Sequence, residues 1–259
     1  MHFLSFPEEK MKATIIIPTF NALKYTRLCL YSLKLTTFFP HELIFVDNGS
    51  TDGTIEFLSG FSNITLIRSK KNLGYAGACN LGIKKSDSDY IVISNNDIFF
   101  TPYWLTHLVE ASESSENIGI VGPVTNTAAG YHIIPHNAYT GKLGLFNESR
   151  IIYLQNKGAL FNVPVLIFFL TLLKRKTIDL VGLLDPDLGL GGCDDFDYSF
   201  RVIQAGLKCM LATSVYVHHF CSRTFSSNNL PYIQLSIESI IRFNKKWEGI
   251  TSIGYKLNN

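Results

Sequence analysis

Short apolar runs alternate with helix-spaced segments through the first half of this 259-residue chain, and that alternation constrains its fold more than any other feature. Strands buried on both faces read as continuous apolar runs, and parallel strands need crossover helices, so the pattern predicts an α/β protein with a mainly parallel sheet. Strands are predicted at Ala13 to Pro18, Leu43 to Asp47, Ile64 to Ile67, Tyr90 to Ser94 and Ile118 to Gly122. Asn21 can cap a helix carrying Tyr25, Leu28, Cys29 and Leu33 at helical spacing. The small residues between Gly74 and Lys85 predict a helix that approaches the sheet closely. Thr101 and Pro102 supply a cap and a first-turn proline for a helix with Trp104, Leu105, Leu108 and Val109.

Residues 125–160 show no clear periodicity and are expected to be a variable loop region. Val165 to Leu173 reads as a buried strand, followed by a short helix near Thr177 to Val181 and the loop LLDPDLGLGGCDD. A helix is expected from Asp194 to Ala205, with Phe196, Phe200 and Ile203 on one face and Gly206 as its stop. Lys208 to Ala212 and Val215 to His218 are predicted as two strands. Tyr232 to Trp247 reads as an amphipathic helix through Ile233, Ile237, Ile240 and Ile241. The length fits one elaborated domain on the prior of roughly 100 to 200 residues per domain.

Composition excludes several classes. Apolar residues make up 46% and charged residues 17%, too hydrophobic for a disordered chain. A net charge of +2, from 23 basic and 21 acidic residues, leaves no surplus to neutralise a nucleic acid. Cys29, Cys79, Cys193, Cys209 and Cys221 are odd in number and lack CxxC spacing, so a reducing compartment fits better than a disulfide framework or a zinc site. The opening MHFLSFPEEKMK lacks the pattern of a secretory signal. The longest apolar stretch, Val163 to Leu173, is interrupted by Pro164 and Thr171 and is well short of the ~20 residues of a membrane span. Its exit into Lys174, Arg175 and Lys176 leaves room for peripheral membrane contact.

In an open parallel sheet, ligands bind at the carboxyl ends of the strands, so polar clusters just after strands carry the most weight. Four occur: Pro18-Thr19-Phe20-Asn21, Asp47 to Asp52, Asn95-Asn96-Asp97, and Gly191 to Asp197. Asn, Gly, Ser and Asp also favour turns, so loop formation explains these residues as well. Neither GxGxxG nor GxxxxGK[ST] is present, which argues against a dinucleotide fold or a P-loop.

The segments IIIPTFN, VDNGSTDGT, NLGYAGACNLGI, ISNNDIFFTPYWL, GGCDDFDYSFR and VYVHH, in that order, resemble glycosyltransferase family 2. The likeness covers nearly Met11 to Trp247 and is nearest to the bacterial rhamnosyltransferase-like subgroup with DNGS and NND. It implies an inverting GT-A enzyme: a Rossmann-like, mainly parallel central sheet flanked by helices. The expected division is a catalytic domain over residues 1–225 and a C-terminal helical extension over 226–259.

The resemblance also implies roles. Pro18, Thr19 and Asn21 stand at the nucleotide, Asp47 and Asn48 at base and ribose, and Asn72, Gly74 and Asn80 on the other side of the nucleoside. Asn48 replaces an acid common in the family, and its amide can still accept from a uracil or thymine N3–H. Asn95, Asn96 and Asp97 align with the DxD motif, with Asp97 in the metal position and Asn95 in place of the first acid. His218, with His219 as the alternate, is expected to add an imidazole to a Mn2+ or Mg2+ site. Asp195 matches the general base and Asp194 the acid before it, while helix capping also favours acids at this position.

The expectation is transfer of a sugar from a UDP- or dTDP-sugar to a glycan, lipid-linked or protein acceptor, in the cytoplasm or at the inner face of a membrane, with homodimerisation open. The rivals are a catalytically impaired GT-A protein that binds nucleotide or carbohydrate, suggested by Asn48 and Asn95, and a sugar nucleotidyltransferase. The latter needs a basic, glycine-rich segment after the first strand, which PTFNALKY lacks.

Overall fold

The computed structural model describes residues 11–134, 141–221, 223, 227–228 and 231–248. The first ten residues, part of the expected loop region (135–140) and the end of the expected helical extension (249–259) lie outside them.

The chain builds strands β1 (Ala13–Thr19), β2 (His41–Asp47), β3 (Thr65–Arg68), β4 (Tyr90–Ser94), β5 (Ile98–Phe99), β6 (Ile118–Thr125), β7 (Leu160–Asn162), β8 (Leu170–Lys174) and β9 (Lys208–His219). They form one sheet in the order β3-β2-β1-β4-β8-β6-β9-β5, with β7 also on β9. β3, β2, β1 and β4 are parallel, β8 runs antiparallel between β4 and β6, and β9 is parallel to β6. β5 and β7 pair antiparallel with β9.

Helices α1 (Leu23–Thr36), α2 (Thr54–Ser59), α3 (Gly74–Lys85), α4 (Trp104–Glu113), α5 (Gly141–Asn156), α6 (Arg175–Val181), α7 (Asp194–Gln204) and α8 (Tyr232–Lys246) complete the chain. Ile15, Ile17, Phe45 and Val92 point to one face of the sheet, where they meet Leu105 and Leu108 of α4 and Leu30 and Leu33 of α1. Ile16, Ile44, Ile91 and Ile93 point to the other, beneath Ala76, Cys79 and Ile83 of α3. Two covered faces explain why these strands read as unbroken apolar runs rather than alternating ones. The close approach expected of α3 is present: a Cβ on Gly82 would fall 2.4 Å from an Ile16 methyl carbon.

Several expected boundaries change. The apolar run at 163–169 is a loop, and the strand starts only at Leu170. The run is apolar because Leu166, Phe168 and Phe169 are buried, and an apolar run alone does not distinguish strand from other buried backbone. Residues 141–156, expected as loop, form α5. The two strands expected at 208–218 are one bent strand, β9, whose pairing with β6 shifts register between Pro123 and Val124. Asn21 does not cap α1: Ala22 is the capping residue, and Asp52 Oδ2 accepts the Leu23 N–H at 2.8 Å. Thr101 does not cap α4, because its hydroxyl donates to the Tyr216 carbonyl of β9 at 2.5 Å and Tyr103 takes the cap.

Candidate active site

A cavity of about 410 Å³ opens at the carboxyl ends of β1, β2 and β4. All four polar clusters predicted from sequence reach it, and the 163–169 loop closes one further side. Pro18 and Thr19 line it from β1, Asn48 from the end of β2, Asn72 and Gly74 from the entry to α3, and Asn95, Asn96 and Asp97 from the end of β4. Asp194, Asp195 and His219 complete the set of predicted residues in its wall.

Three predicted nucleotide contacts are not in that wall. Asp47 is fully buried and its carboxylate accepts the Gly49 and Ser50 N–H groups at 3.0 and 3.1 Å, so it shapes the turn beneath the cavity. Asn80 braces the loop before α7 instead, donating to the Leu184 carbonyl at 2.8 Å and accepting the Leu184 N–H at 3.0 Å. Asn21 joins neighbouring loops: its Oδ1 accepts the Thr51 N–H at 2.7 Å and its Nδ2 donates to Asn228 Oδ1 at 2.5 Å. Asn48 does face the cavity, but its amide also ties β2 to α3, donating to the Gly74 carbonyl and accepting the Leu73 N–H. Gly74 must be glycine there: its φ is +73°, and a Cβ would fall 2.8 Å from the Gly189 carbonyl oxygen.

Asp97 and His219 meet at one end of the cavity. Asp97 is 3% exposed, and its Oδ2 accepts the Arg223 N–H at 3.2 Å. His219 is opposite Ile98 in the β5–β9 pair, and its Nδ1 lies 2.9 Å from the Thr127 carbonyl. A carbonyl only accepts, so Nδ1 carries a proton. Nε2 faces Asp97 Oδ1 at 3.2 Å, and neither atom has a hydrogen-bond partner. Positive charge satisfies this buried pair, either a proton on Nε2 that makes it an ion pair or a cation bound by both atoms. A divalent cation fits: ligating imidazoles usually donate their other N–H to a carbonyl, and adjacent ligands about 2.1 Å from an octahedral ion lie about 3 Å apart.

Among the described residues no three His, Cys, Asp or Glu side chains gather into a metal cage. Two protein ligands leave room for phosphate oxygens and water, the usual arrangement for Mg2+. Side chains alternate along a strand, and it is His219 rather than the expected His218 that lines the cavity. The His218 ring packs edge-on against Phe220 at 4.7 Å, while His219 stacks on Phe169 and faces Asp97.

The acid end is at the start of α7. Burial pushes the Asp194 carboxyl up to about 6, with the Gly192 N–H opposing and the Asp197 charge adding. Asp195 is pushed up to about 7, again chiefly by burial, with the Phe196 N–H opposing and the Asp194 charge adding. Asp194 Oδ1 is buried without a hydrogen-bond partner. An acid near 7 is poised to gain and lose a proton under neutral conditions.

The sequence did not single out the walls between these two ends. Tyr75 donates its hydroxyl to the Phe168 carbonyl, and His132, fully buried, holds the same loop by accepting the Ile167 N–H at 2.9 Å. Tyr75, Phe168, Phe169 and Arg223 all line the cavity. Arg223 meets Asp97 through its backbone N–H, while its Nε donates to the Phe220 carbonyl at 3.0 Å and its guanidinium lies over the Tyr25 ring; its only sequence signal is a basic residue shortly after the paired histidines.

Among solved structures, the mannosyltransferase PcManGT from Pyrobaculum calidifontis in complex with GDP-Man and Mn2+ matches with a TM-score of 0.65 at 18% identity. The match covers 90% of this chain and 64% of that one and shows a shared GT-A fold. The O-antigen chain rhamnosyltransferase RfbN of Salmonella typhimurium is 36% identical over 89 residues, 34% of this chain and 28% of that protein. The N-acetylglucosaminyl-diphospho-decaprenol L-rhamnosyltransferase of Mycobacterium tuberculosis is 29% identical over 122 residues, 42% of this chain and 40% of that protein. The chain therefore spans less than half the length of these curated relatives. The family profile described as Glycosyl transferase family 2 matches residues 14–181, from β1 through α6 and including Asp97, but ending before Asp194. Since that is well over half of the chain, the protein belongs to glycosyl transferase family 2.

Proposed function

We propose that this chain is an inverting glycosyltransferase that moves a sugar from a UDP- or dTDP-sugar to a hydroxyl of a glycan, lipid-linked or protein acceptor. The observation that carries the reading is the pairing of two ends in one cavity: Asp195, poised near 7, and the buried Asp97 Oδ1 facing His219 Nε2 at 3.2 Å. Pro18, Thr19, Asn48, Asn72 and Asn96 hold the nucleotide, and Arg223, which also lines the cavity, serves the diphosphate. Asp97 and His219 hold Mn2+ or Mg2+, which when bound neutralises charge on the diphosphate. Asp194 orients a sugar hydroxyl, and Asp195 takes the proton from the acceptor hydroxyl as it attacks the anomeric carbon from the face opposite the diphosphate. Tyr75, Phe168 and Phe169 narrow the cavity and keep water from the sugar.

We place the catalytic residues in one domain over 1–225, with 226–259 as its helical extension. No helix among the described residues is long and apolar enough to cross a membrane. The exposed Ile233, Ile237 and Ile241 of α8 offer a surface for the expected peripheral membrane contact at the cytoplasmic face or for self-association.

The test is a transfer assay across uridine, thymidine and guanosine diphosphate sugars with Mn2+ or Mg2+, followed by the anomeric configuration of the product. Inversion with a UDP- or dTDP-sugar is expected; retention of configuration contradicts the mechanism. Tight donor binding with no release of nucleoside diphosphate, even by slow hydrolysis, favours the binding-protein reading that Asn48 and Asn95 suggested.

A further inference from the structure

The approach to Asp194 and Asp195 has little order of its own. Gly189, Gly191 and Gly192 all sit at positive φ, between 113° and 146°, where glycine's conformational freedom is large. Besides Asn80 at Leu184 and the Tyr75 N–H on the Leu190 carbonyl at 3.2 Å, the contacts that hold this segment come from α8 and the residue after it. Lys246 Nζ reaches Asp185 Oδ2 at 2.5 Å, before the glycines. Arg242 Nη1 donates to the Asp187 carbonyl at 3.1 Å. Ser239 Oγ, 1% exposed, accepts the Cys193 N–H at 3.1 Å. Past the catalytic acids, Asp197 is fully buried in the first turn of α7. Its Oδ1 accepts from Trp247 Nε1 at 3.0 Å and from Lys246 Nζ at 2.6 Å, and its Oδ2 accepts from Arg201 Nε at 2.9 Å.

A buried carboxylate persists only with such partners. Phe243 and Trp247 pack with Leu188, Cys193 and Phe200 to shield the contact from water. The helix can lie this close because residue 192 is glycine: a Cβ there would fall 3.0 Å from Ser239 Cβ.

We infer that α8 is a latch on the acceptor-activating segment, with Ser239, Lys246 and Trp247 as positioning residues that hold Asp194 and Asp195 in place through Cys193 and Asp197. The inference rests on the reading of Asp195 as the base. The latch bears chiefly on the acid side of the cavity: the nucleotide side is built by β1, β2 and the start of α3, and α8 makes its bonds at residues 185, 187, 193 and 197, while the glycine segment meets α3 only around Gly74 and Tyr75.

The test compares the full chain with Trp247→Phe, which keeps the ring and loses the N–H, with Ser239→Ala, and with the pair Lys246→Met and Lys246→Arg. Amide hydrogen exchange at residues 192–197 is expected to quicken about tenfold or more in Trp247→Phe and Ser239→Ala. In the same variants kcat is expected to fall about tenfold to a hundredfold, as small misplacements of reacting groups do. The Kd for UDP with Mn2+, by calorimetry, is expected to stay within about twofold. Lys246→Arg should keep kcat and Lys246→Met should not.

Unchanged exchange in both Trp247→Phe and Ser239→Ala overturns the latch, whether or not a donor has been found. Faster exchange with unaltered kcat overturns the positioning role, as does a Kd that weakens in step with kcat. If the native chain turns over no sugar nucleotide, the proposed function fails, and the exchange measurement alone decides the latch.

Discussion

Asp194 and Asp195 are adjacent carboxyls whose proton affinities are both raised, and each raised value has a measurable sign. A base must be unprotonated to act, so kcat/KM is expected to climb about tenfold per pH unit below 7 and level off above it. A pH–rate profile that is flat between 5 and 8 contradicts Asp195 as the base. Stability runs the other way. Both groups hold their protons more tightly folded than unfolded, so their contribution is fully present below the ordinary carboxylate range and is lost as pH rises through about 6 to 7. Asp194→Asn is therefore expected to raise the thermal midpoint by a few degrees at pH 8, with the gain shrinking toward pH 4. A midpoint lowered at pH 8 removes the claim that this acid costs stability. At this scale the sequence was informative where polar residues come just after a strand, as Asn48 does after β2 and Asn95 to Asp97 do after β4. It was misleading at Asp47 and Asn80, because an Asp or Asn next to a site serves a turn or a loop brace as readily as a ligand.

β9 shows how an element can be recognised while the direction of its side chains is not. Its apolar pattern is clear, but the register shift opposite Pro123 and Val124 interrupts the pairing, and which of two adjacent histidines faces the cavity depends on the strand's course beyond that point. His219→Ala is expected to weaken Mn2+ binding in the presence of UDP by about tenfold or more, and His218→Ala by less than about twofold. Calorimetry distinguishes them, and the reverse order contradicts the assignment of Nε2 of His219 to the cation. α5 was hidden for a related reason. Its buried positions Leu145, Glu148, Ser149 and Ile152 follow helical spacing, but two of the four are polar, so no apolar period is visible. The loop residues 165–169 carry a strand-like apolar pattern because burial, not secondary structure, sets their composition.

The whole molecule joins a sheet of predictable topology to a site drawn from both ends of the chain. Parallel order in β3, β2, β1 and β4 was legible because each strand is a short apolar run followed by a helix; the insertion of β8 antiparallel beside β4 was not, since it depends on pairing across some eighty residues. The near-neutral charge fits the proposed function: acids cluster at the cavity, so the diphosphate of that proposal is to be met by Arg223 and a cation rather than by a broad basic surface. UDP with Mn2+ is therefore expected to raise the thermal midpoint more than UDP with a chelator. At a hundredfold excess over Kd, ligand binding contributes about 2.7 kcal/mol. Equal shifts under both conditions argue against metal-assisted binding. The central claim is that one cavity holds the nucleotide on one side and a proton-accepting aspartate on the other. It is tested most directly by measuring UDP binding and sugar transfer side by side in Asp195→Asn. The account predicts binding within about twofold of the native chain and transfer lower by about 100-fold to 10,000-fold; transfer near the native rate contradicts it.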